Sequence, residues 1–518
     1  MILIKSLFAS LFLLSGNYAA GSSLQIVMGP TNESQVVPMG SLWKLHVHSY
    51  LLENGIQSAP YVCQGRSPEE VFCCDKGKSI DMAQALANSC GLYYQEQLKY
   101  IPNSGWSKFW KDKGLKSPWT DKAQLRSENK VKVSEIIESL AAIAAFKTFP
   151  EIKYHLYGVI DSGTLKGRVG KLGTNLFIKT WTLNEKGGFA GWSQAGTPIW
   201  AMGEGSSKEM IDRHSDEIFK RLPQITGHDG PIVVVNFFKK YPIKRVLSLP
   251  EKKNVVSGQL HGDYLVEFKQ GTKLVLRSSG KLILDNNLIH GTFPMEEYVA
   301  RVIDREGSGQ DPEAAKALAV LVRTYLLKEG SPLGNGFQID DTSKKQRVSP
   351  SSPSKEALSA ARFTKDLLYQ GKTIHYTDKT WLRMKELSQA GHNFSVILKF
   401  LSPDAKLALR HNENFDQCQR LRLAESYLSH SLTRWRKILR KQTGFEDVPD
   451  VSVCHLRLTK AYSDLKNNRI YLNFDESSEA RITLAHEYLH LGFKHHPLTK
   501  DEYFIEALAK RLTGVGHE

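Results

Sequence analysis

The chain has 518 residues, 41% of them hydrophobic and 10% aromatic. That is too long for one ordinary core and too apolar for a disordered chain, so roughly two to four folded domains are expected. The formal charge of +15 comes from 69 basic and 54 acidic residues spread along the chain, which reads as a solvated surface and not as a nucleic-acid footprint.

Residues 1–21 read as a signal peptide. Lys5 supplies the positive end, Ser6 to Leu14 the short apolar core, and Ala19-Ala20-Gly21 the small residues for cleavage. The apolar run is too short to span a bilayer, and no later stretch has membrane length. An exported, periplasmic chain with no stable membrane span and no nucleic-acid partner is expected. In an oxidising compartment the cysteines at 63, 73, 74, 90, 418 and 454 should pair locally, Cys63 with Cys73 or Cys74, and Cys418 with Cys454.

Residues 22–247 form the first segment. Ser41 and Lys44 stand three apart at the start of a helix-patterned run that closes at Asn54-Gly55. That spacing puts both on one helix face, where a lysine of lowered pKa can take the serine proton. Alone, Ser-x-x-Lys is a weak signal. IDMAQALANSCGLYY (80–94) and GRVGKLGTNLFIKTW (167–181) with the glycine-rich strands after it resemble the second and third motifs of the penicillin-binding transpeptidases. The cysteine-bearing insert between the first two motifs is similar as well. The resemblance implies a serine transpeptidase/β-lactamase-like domain with Ser41 as nucleophile, Lys44 as its base and Ser89 as proton shuttle. It also implies Lys171, Gly173 and Thr174 as the Lys-Thr-Gly strand, the lysine binding a carboxylate and the following N–H forming half of an oxyanion hole. Two departures stand out: Leu172 replaces the threonine, and Gly91 replaces an asparagine.

Residues 248–410 open with the strand patterns YLVEF, KLVLR and KLILD. Two helices follow, FPMEEYVARVIDREG and DPEAAKALAVLVRTYLLKEG, the second with Asp311 as N-cap, Pro312 in its first turn and Gly330 after its end. Tyr298, Val299, Val302, Glu306, Arg323, Thr324 and Tyr325 resemble the pattern of the sporulation protein D and amidase-enhancer family, which includes a lytic transglycosylase acting on peptidoglycan. The resemblance implies a sporulation protein D-like α+β domain with Glu306 as general acid, the proton donor that glycosidic cleavage needs. The family's glycine-rich loops around its site are missing near HYTDKTW. SPSSPS (349–354) reads as a surface loop inside this module.

Residues 411–518 carry the sharpest pattern. His486 and His490, four apart on a helix, can bind one metal ion, and Glu487 can serve as general base toward a water there. The Ile470, Leu472, Phe474 alternation predicts an edge strand before the helix, able to bind substrate backbone. A third ligand is needed. His496 lies six after His490; Glu506 lies on a second apolar-periodic helix, the arrangement that resembles gluzincin peptidases, and is preferred. A small zincin-like α+β domain holding Zn²⁺ is expected.

Together the modules resemble a secreted protein family, mostly Gram-negative, known as domain of unknown function 2300. The expected fold is multidomain α+β. Two functions stand side by side. One is a zinc hydrolase, peptidase- or amidase-like, acting on peptidoglycan or a peptide. The other is a degenerate scaffold that binds peptidoglycan or an envelope protein partner. The intact His486, Glu487 and His490 favour the first; Leu172, Gly91 and the missing loops favour the second.

Overall fold

The structure is a computed structural model that describes residues 24–56, 60–183, 185–223, 230–333, 336–370, 377–404, 406–410, 421–455, 461–465 and 468–514. The expected signal peptide and Cys418 lie outside the described residues. The described part is a multidomain α+β assembly, and none of its helices is long and apolar enough to cross a membrane.

The first module is built on a four-stranded antiparallel sheet in the order Gln25–Met28, Pro198–Glu204, Lys186–Ser193, Leu176–Leu183. Its middle strands read as near-continuous buried runs because helices cover them. The helix Trp43–Glu53 is buried along its whole length from Trp43 to Leu51, polar residues included. A helix apolar on only one face could not sit there. His46 shows how it is accommodated. Its ring is wrapped by Trp110 and Trp119 and bonded to Leu42 O and Ser139 Oγ, and burial pushes its pKa down to about 4.

The middle module carries an eight-stranded sheet in the order Asn254–Val255, Ile243–Ser248, Gly258–Phe268, Lys273–Asp285, Leu288–Pro294, Ile232–Phe237, Gly336–Asp340, Ser331–Leu333. One pair, Ile232–Phe237 with Gly336–Asp340, is parallel. The sheet therefore recruits Ile232–Phe237 and Ile243–Ser248 from before residue 248, and the expected boundary moves back accordingly. KLVLR and KLILD, read as separate strands, form one strand, Lys273–Asp285, with a bulge opposite Leu260/His261. The helices Met295–Glu306 and Pro312–Glu329 fall where the periodicity predicts. Asp311 precedes the second without capping it, its carboxylate lying 3.8 Å from Lys385 Nζ.

These two modules share one continuous apolar core. At their seam, Gly173 takes φ +54°, and a Cβ there would lie 2.2 Å from Phe363 O. Thr174 donates from its N–H to Phe363 O (3.1 Å) and from Oγ1 to Lys365 O (2.8 Å), and Gln194 Nε2 donates to Arg362 O (2.9 Å). The C-terminal module has its own core under the helices Arg422–Leu439, Ser478–Gly492 and Glu502–Thr513. Its three-stranded sheet runs Ser452–His455, Arg469–Leu472, Tyr462–Asp464. Arg469–Leu472, expected at an edge, is the central strand, and Tyr462–Asp464 is an edge.

Two disulfides staple the insert after the first helix, Cys63–Cys74 and Cys73–Cys90. The first is one of the two expected pairings; the second was not foreseen. Cys454 is disulfide-bonded.

Candidate functional site

Ser41 sits in the single 3-10 turn Gly40–Leu42, just ahead of the buried helix that carries Lys44. Lys44 Nζ is 3.3 Å from Ser41 Oγ and donates to Ser89 Oγ (3.1 Å) and Ser89 O (2.7 Å). Ser89 reaches it because the helix Met82–Asn88, begun by an Asp81/Gln84 capping box, ends with Ser89 in the left-handed conformation at φ 63°. The Cys73–Cys90 bridge ties this turn to the insert. Burial pulls the Lys44 ammonium down to about 8, opposed in part by the Glu69 carboxylate. Three sequence-derived residues are thus brought together, with the lysine tuned toward a base. A side chain at Gly91 would meet Lys44 Cε at an ordinary 3.6 Å, so the missing asparagine is absent without being sterically excluded.

Lys171 is not part of this cluster. It lies at the surface in the short helix Val169–Leu172, against Asp212. Leu172 is a core residue, and Gly173 and Thr174 make the seam described above. The lysine that faces the serine cluster is Lys179. It is fully buried in the strand Leu176–Leu183, donates to Thr180 O (3.0 Å), and is close enough to Lys44 for the two charges to repel. Burial, reinforced by Lys44, holds its pKa far below the ordinary lysine value. The sequence reading missed it, although Lys179-Thr180 followed by a glycine-rich hairpin partner was the available signal. Trp181 follows, stacked on Trp200, and a Cβ on Gly40 would lie 3.2 Å from Trp181 Cβ. Only glycine lets the Ser41 turn approach this closely, at φ +53°.

In the middle module Glu306 ends the helix Met295–Glu306, but it is neither free nor exposed. It accepts from the Arg347 N–H (2.6 Å) and lies 3.3 Å from Arg347 Nη2. The other family-pattern residues do structural work: Arg323 is fully buried against Glu296 and the carbonyls of Leu367 and Ala361, and Thr324 accepts from Tyr369 N–H.

The C-terminal module assembles a donor set. His486 and His490 lie on the helix Ser478–Gly492, started by Ser477, whose hydroxyl accepts from Ala480 N–H. Their Nε2 atoms stand 3.1 Å apart. His486 Nδ1 is 3.0 Å from Glu506 Oε2, and His490 Nδ1 is 3.0 Å from Thr499 O. Since a carbonyl and a carboxylate can only accept, both Nδ1 atoms carry the hydrogen, and the two Nε2 atoms face each other. Glu502 adds a carboxylate oxygen 3.3 Å from His486 Nε2 and 3.7 Å from His490 Nε2. The ligand atoms of His486, His490 and Glu502 all lie within 4.8 Å of one another. His486, His490 and Glu502 are the residues here that could hold a metal ion, two imidazole nitrogens and a carboxylate oxygen being donors suited to zinc. Glu502 is thus the carboxylate that groups with the two Nε2 atoms, whereas Glu506, the expected third ligand, meets His486 at Nδ1. His496 is elsewhere, accepting from Leu498 N–H as the cap of the next turn, and His495 is exposed. Glu487 is buried, and its carboxylate accepts from Ser463 Oγ (2.6 Å) on the edge strand.

Comparison with known proteins follows the same modules. The family model described as Predicted secreted protein (DUF2300) matches residues 65–169 and 378–498, and the Stage II sporulation protein model matches 286–370 between them. The Uncharacterized protein YfaQ of Escherichia coli (strain K12) is 34% identical over 520 residues, covering 96% of this chain and 93% of that protein. Among solved structures, a class D β-lactamase from Bacillus subtilis is 17% identical over 37% of this chain and 84% of its own, with a TM-score of 0.27. The C-terminal domain of the Bacillus licheniformis BlaR penicillin receptor is 18% identical over 37% and 83%, also at 0.27. With kinship to YfaQ along nearly its whole length and the family pattern on both sides of a sporulation-type module, the chain belongs to the DUF2300 family of predicted secreted proteins.

Proposed function

We propose that this secreted protein is a cell-envelope hydrolase whose reaction centre is the C-terminal histidine–carboxylate cluster, carried on two modules directed to peptidoglycan. The observation that carries this reading is the approach of His486 and His490 Nε2 to 3.1 Å beside the Glu502 carboxylate. A zinc ion held by these residues would supply Lewis acidity toward the carbonyl of a peptide or amide bond. Glu506 and Thr499 O orient the two imidazoles, and Glu487, steadied by Ser463, is the group to take a proton from the attacking water and return it to the leaving nitrogen. Metal content tests this. Purified protein should hold about one zinc per chain; His486→Ala and Glu502→Ala should lose it, His496→Ala should keep it, and Glu506→Gln should bind it roughly 10–100-fold more weakly. A folded wild type that takes up no zinc sinks the reading.

A second reading concerns the first module and rests on Lys44 Nζ lying between Ser41 Oγ and Ser89 Oγ. Neutral Lys44 would accept the Ser41 proton as Oγ attacks an acyl carbonyl, and Ser89 would pass a proton to the departing nitrogen. Fluorescent penicillin should then label the protein covalently and fail to label Ser41→Ala. In the middle module the Glu306–Arg347 engagement and the missing loops favour glycan binding or a structural role over cleavage.

A further inference from the structure

A cleft of about 750 Å³ lies between the first and middle modules; Ser41, Lys44, Ser89, Glu306 and the C-terminal histidines do not line it, although Gln84 and Ala87 of the helix that ends at Ser89 do. One wall is the helix Phe149–Asp161 and the loop after it; the other is the helix Phe394–Leu401 and the strand Lys406–Leu409. Neither module alone would form it. Its size is that of small-ligand sites in general.

The lining is charged unevenly. Lys166 from the first module and Lys399 and Lys406 from the middle one all bear on Asp161, the one carboxylate among the lining residues. With three lysines to one carboxylate, the lining carries a net positive charge. Beside Asp161, Tyr157 is among the lining residues, and its buried hydroxyl has no hydrogen-bond partner among the described residues. Leaving such a group unmatched destabilises the fold, so a ligand that satisfies it is favoured. His155, also in the lining, is held in one orientation from behind. Tyr94 OH donates to Met82 O, so it accepts from His48 Nδ1 (2.9 Å), and His48 Nε2 accepts in turn from His155 Nδ1 (3.0 Å).

We propose that this cleft binds a carboxylated mono- or disaccharide. The three lysines match the acid group, and the Asp161–Tyr157 pair with His155 matches hydroxyl and amide groups on the sugar. The inference needs neither the metal site nor the serine cluster.

Calorimetric titration of the full chain tests it with three probes: N-acetylglucosaminyl-N-acetylmuramic acid, neutral di-N-acetylchitobiose and inorganic phosphate. The acidic disaccharide should bind saturably, and the double variant Lys399→Ala/Lys406→Ala should bind it at least tenfold more weakly. These lysines are exposed, so their thermal midpoint should not move. Tyr157→Phe should weaken binding at least threefold while keeping or raising stability, since it deletes an unmatched hydroxyl. Ser41→Ala should bind as wild type. Absence of binding, equal binding of the neutral disaccharide, or an unchanged double variant overturns the proposal. Phosphate binding as tightly as the acidic sugar also overturns it, leaving an anion site without sugar recognition.

Discussion

Lys44 is almost fully enclosed, and the cost of holding a charge there is what makes it a candidate base. With its pKa at about 8, roughly one molecule in ten carries the neutral amine at pH 7. Labelling of Ser41 by fluorescent penicillin should therefore rise about tenfold per pH unit below 8 and level off above it. Glu69→Gln removes the opposing carboxylate and should move the plateau to lower pH; a profile flat between pH 6 and 9 contradicts Lys44 as base. The sign for stability is the opposite of a salt-bridged lysine. The unfolded chain, near 10.5, binds the proton that the folded one gives up, so stability rises with pH from about 8 toward 10.5. Ser41 and Lys44 were readable in the sequence because helix periodicity fixes which side chains share a face, and Ser89 because its stretch resembles the transpeptidases' second motif. Lys179 was passed over for Lys171: its Lys-Thr signal was present, but the pairing of the strand Leu176–Leu183 is what shows which of the two lysines turns inward.

At the scale of elements, the SPSSPS stretch teaches the same lesson from the other side. Its composition says surface loop, and part of it is exposed. Yet Arg301 pins it from within, donating to the carbonyls of Ser349 (3.2 Å), Pro350 (3.0 Å) and Ser351 (2.6 Å). The same guanidinium is buried, pairs with Glu297 (2.9 Å) and stacks 4.0 Å from the Phe293 ring. Arg301→Leu would leave Glu297 with Lys281 as its remaining cation and take the donor from three carbonyls, so a loss of about 1–3 kcal/mol is expected in urea unfolding. Protease cutting within 349–354 should appear at once, and full resistance would show that the arginine does not hold the loop. The HExxH helix, by contrast, was legible down to its cap, since Ser477 and the histidine spacing are local facts. Which carboxylate stands beside the histidine Nε2 atoms was not, because Glu502 and Glu506 are one turn apart on the next helix and both face the histidines.

Across the whole molecule, the shared core makes the first and middle modules one mechanical unit, while the C-terminal module stands on its own apolar cluster. Scanning calorimetry should show this as a joint transition for the first two and a separate one for the third. Gly173→Ala forces a Cβ against Phe363 O and strains a positive φ, a combined cost of about 3 kcal/mol. It should lower the joint transition and leave the C-terminal one unmoved. A shift of both would mean that all three modules unfold together.

Export, the order of modules, the helix bearing His486, Glu487 and His490, and the pairing of Ser41 with Lys44 were determined by the sequence itself, because each depends on local spacing or composition. Tertiary structure alone decided the rest: Lys179 in place of Lys171 at the serine cluster, Glu502 beside the two histidines, Arg347 occupying Glu306, and the seam that turns Gly173 and Thr174 from a motif into an interface. Each of these depends on which distant backbone arrives within a few ångströms of a side chain, and that distance is set by packing and not by position along the chain.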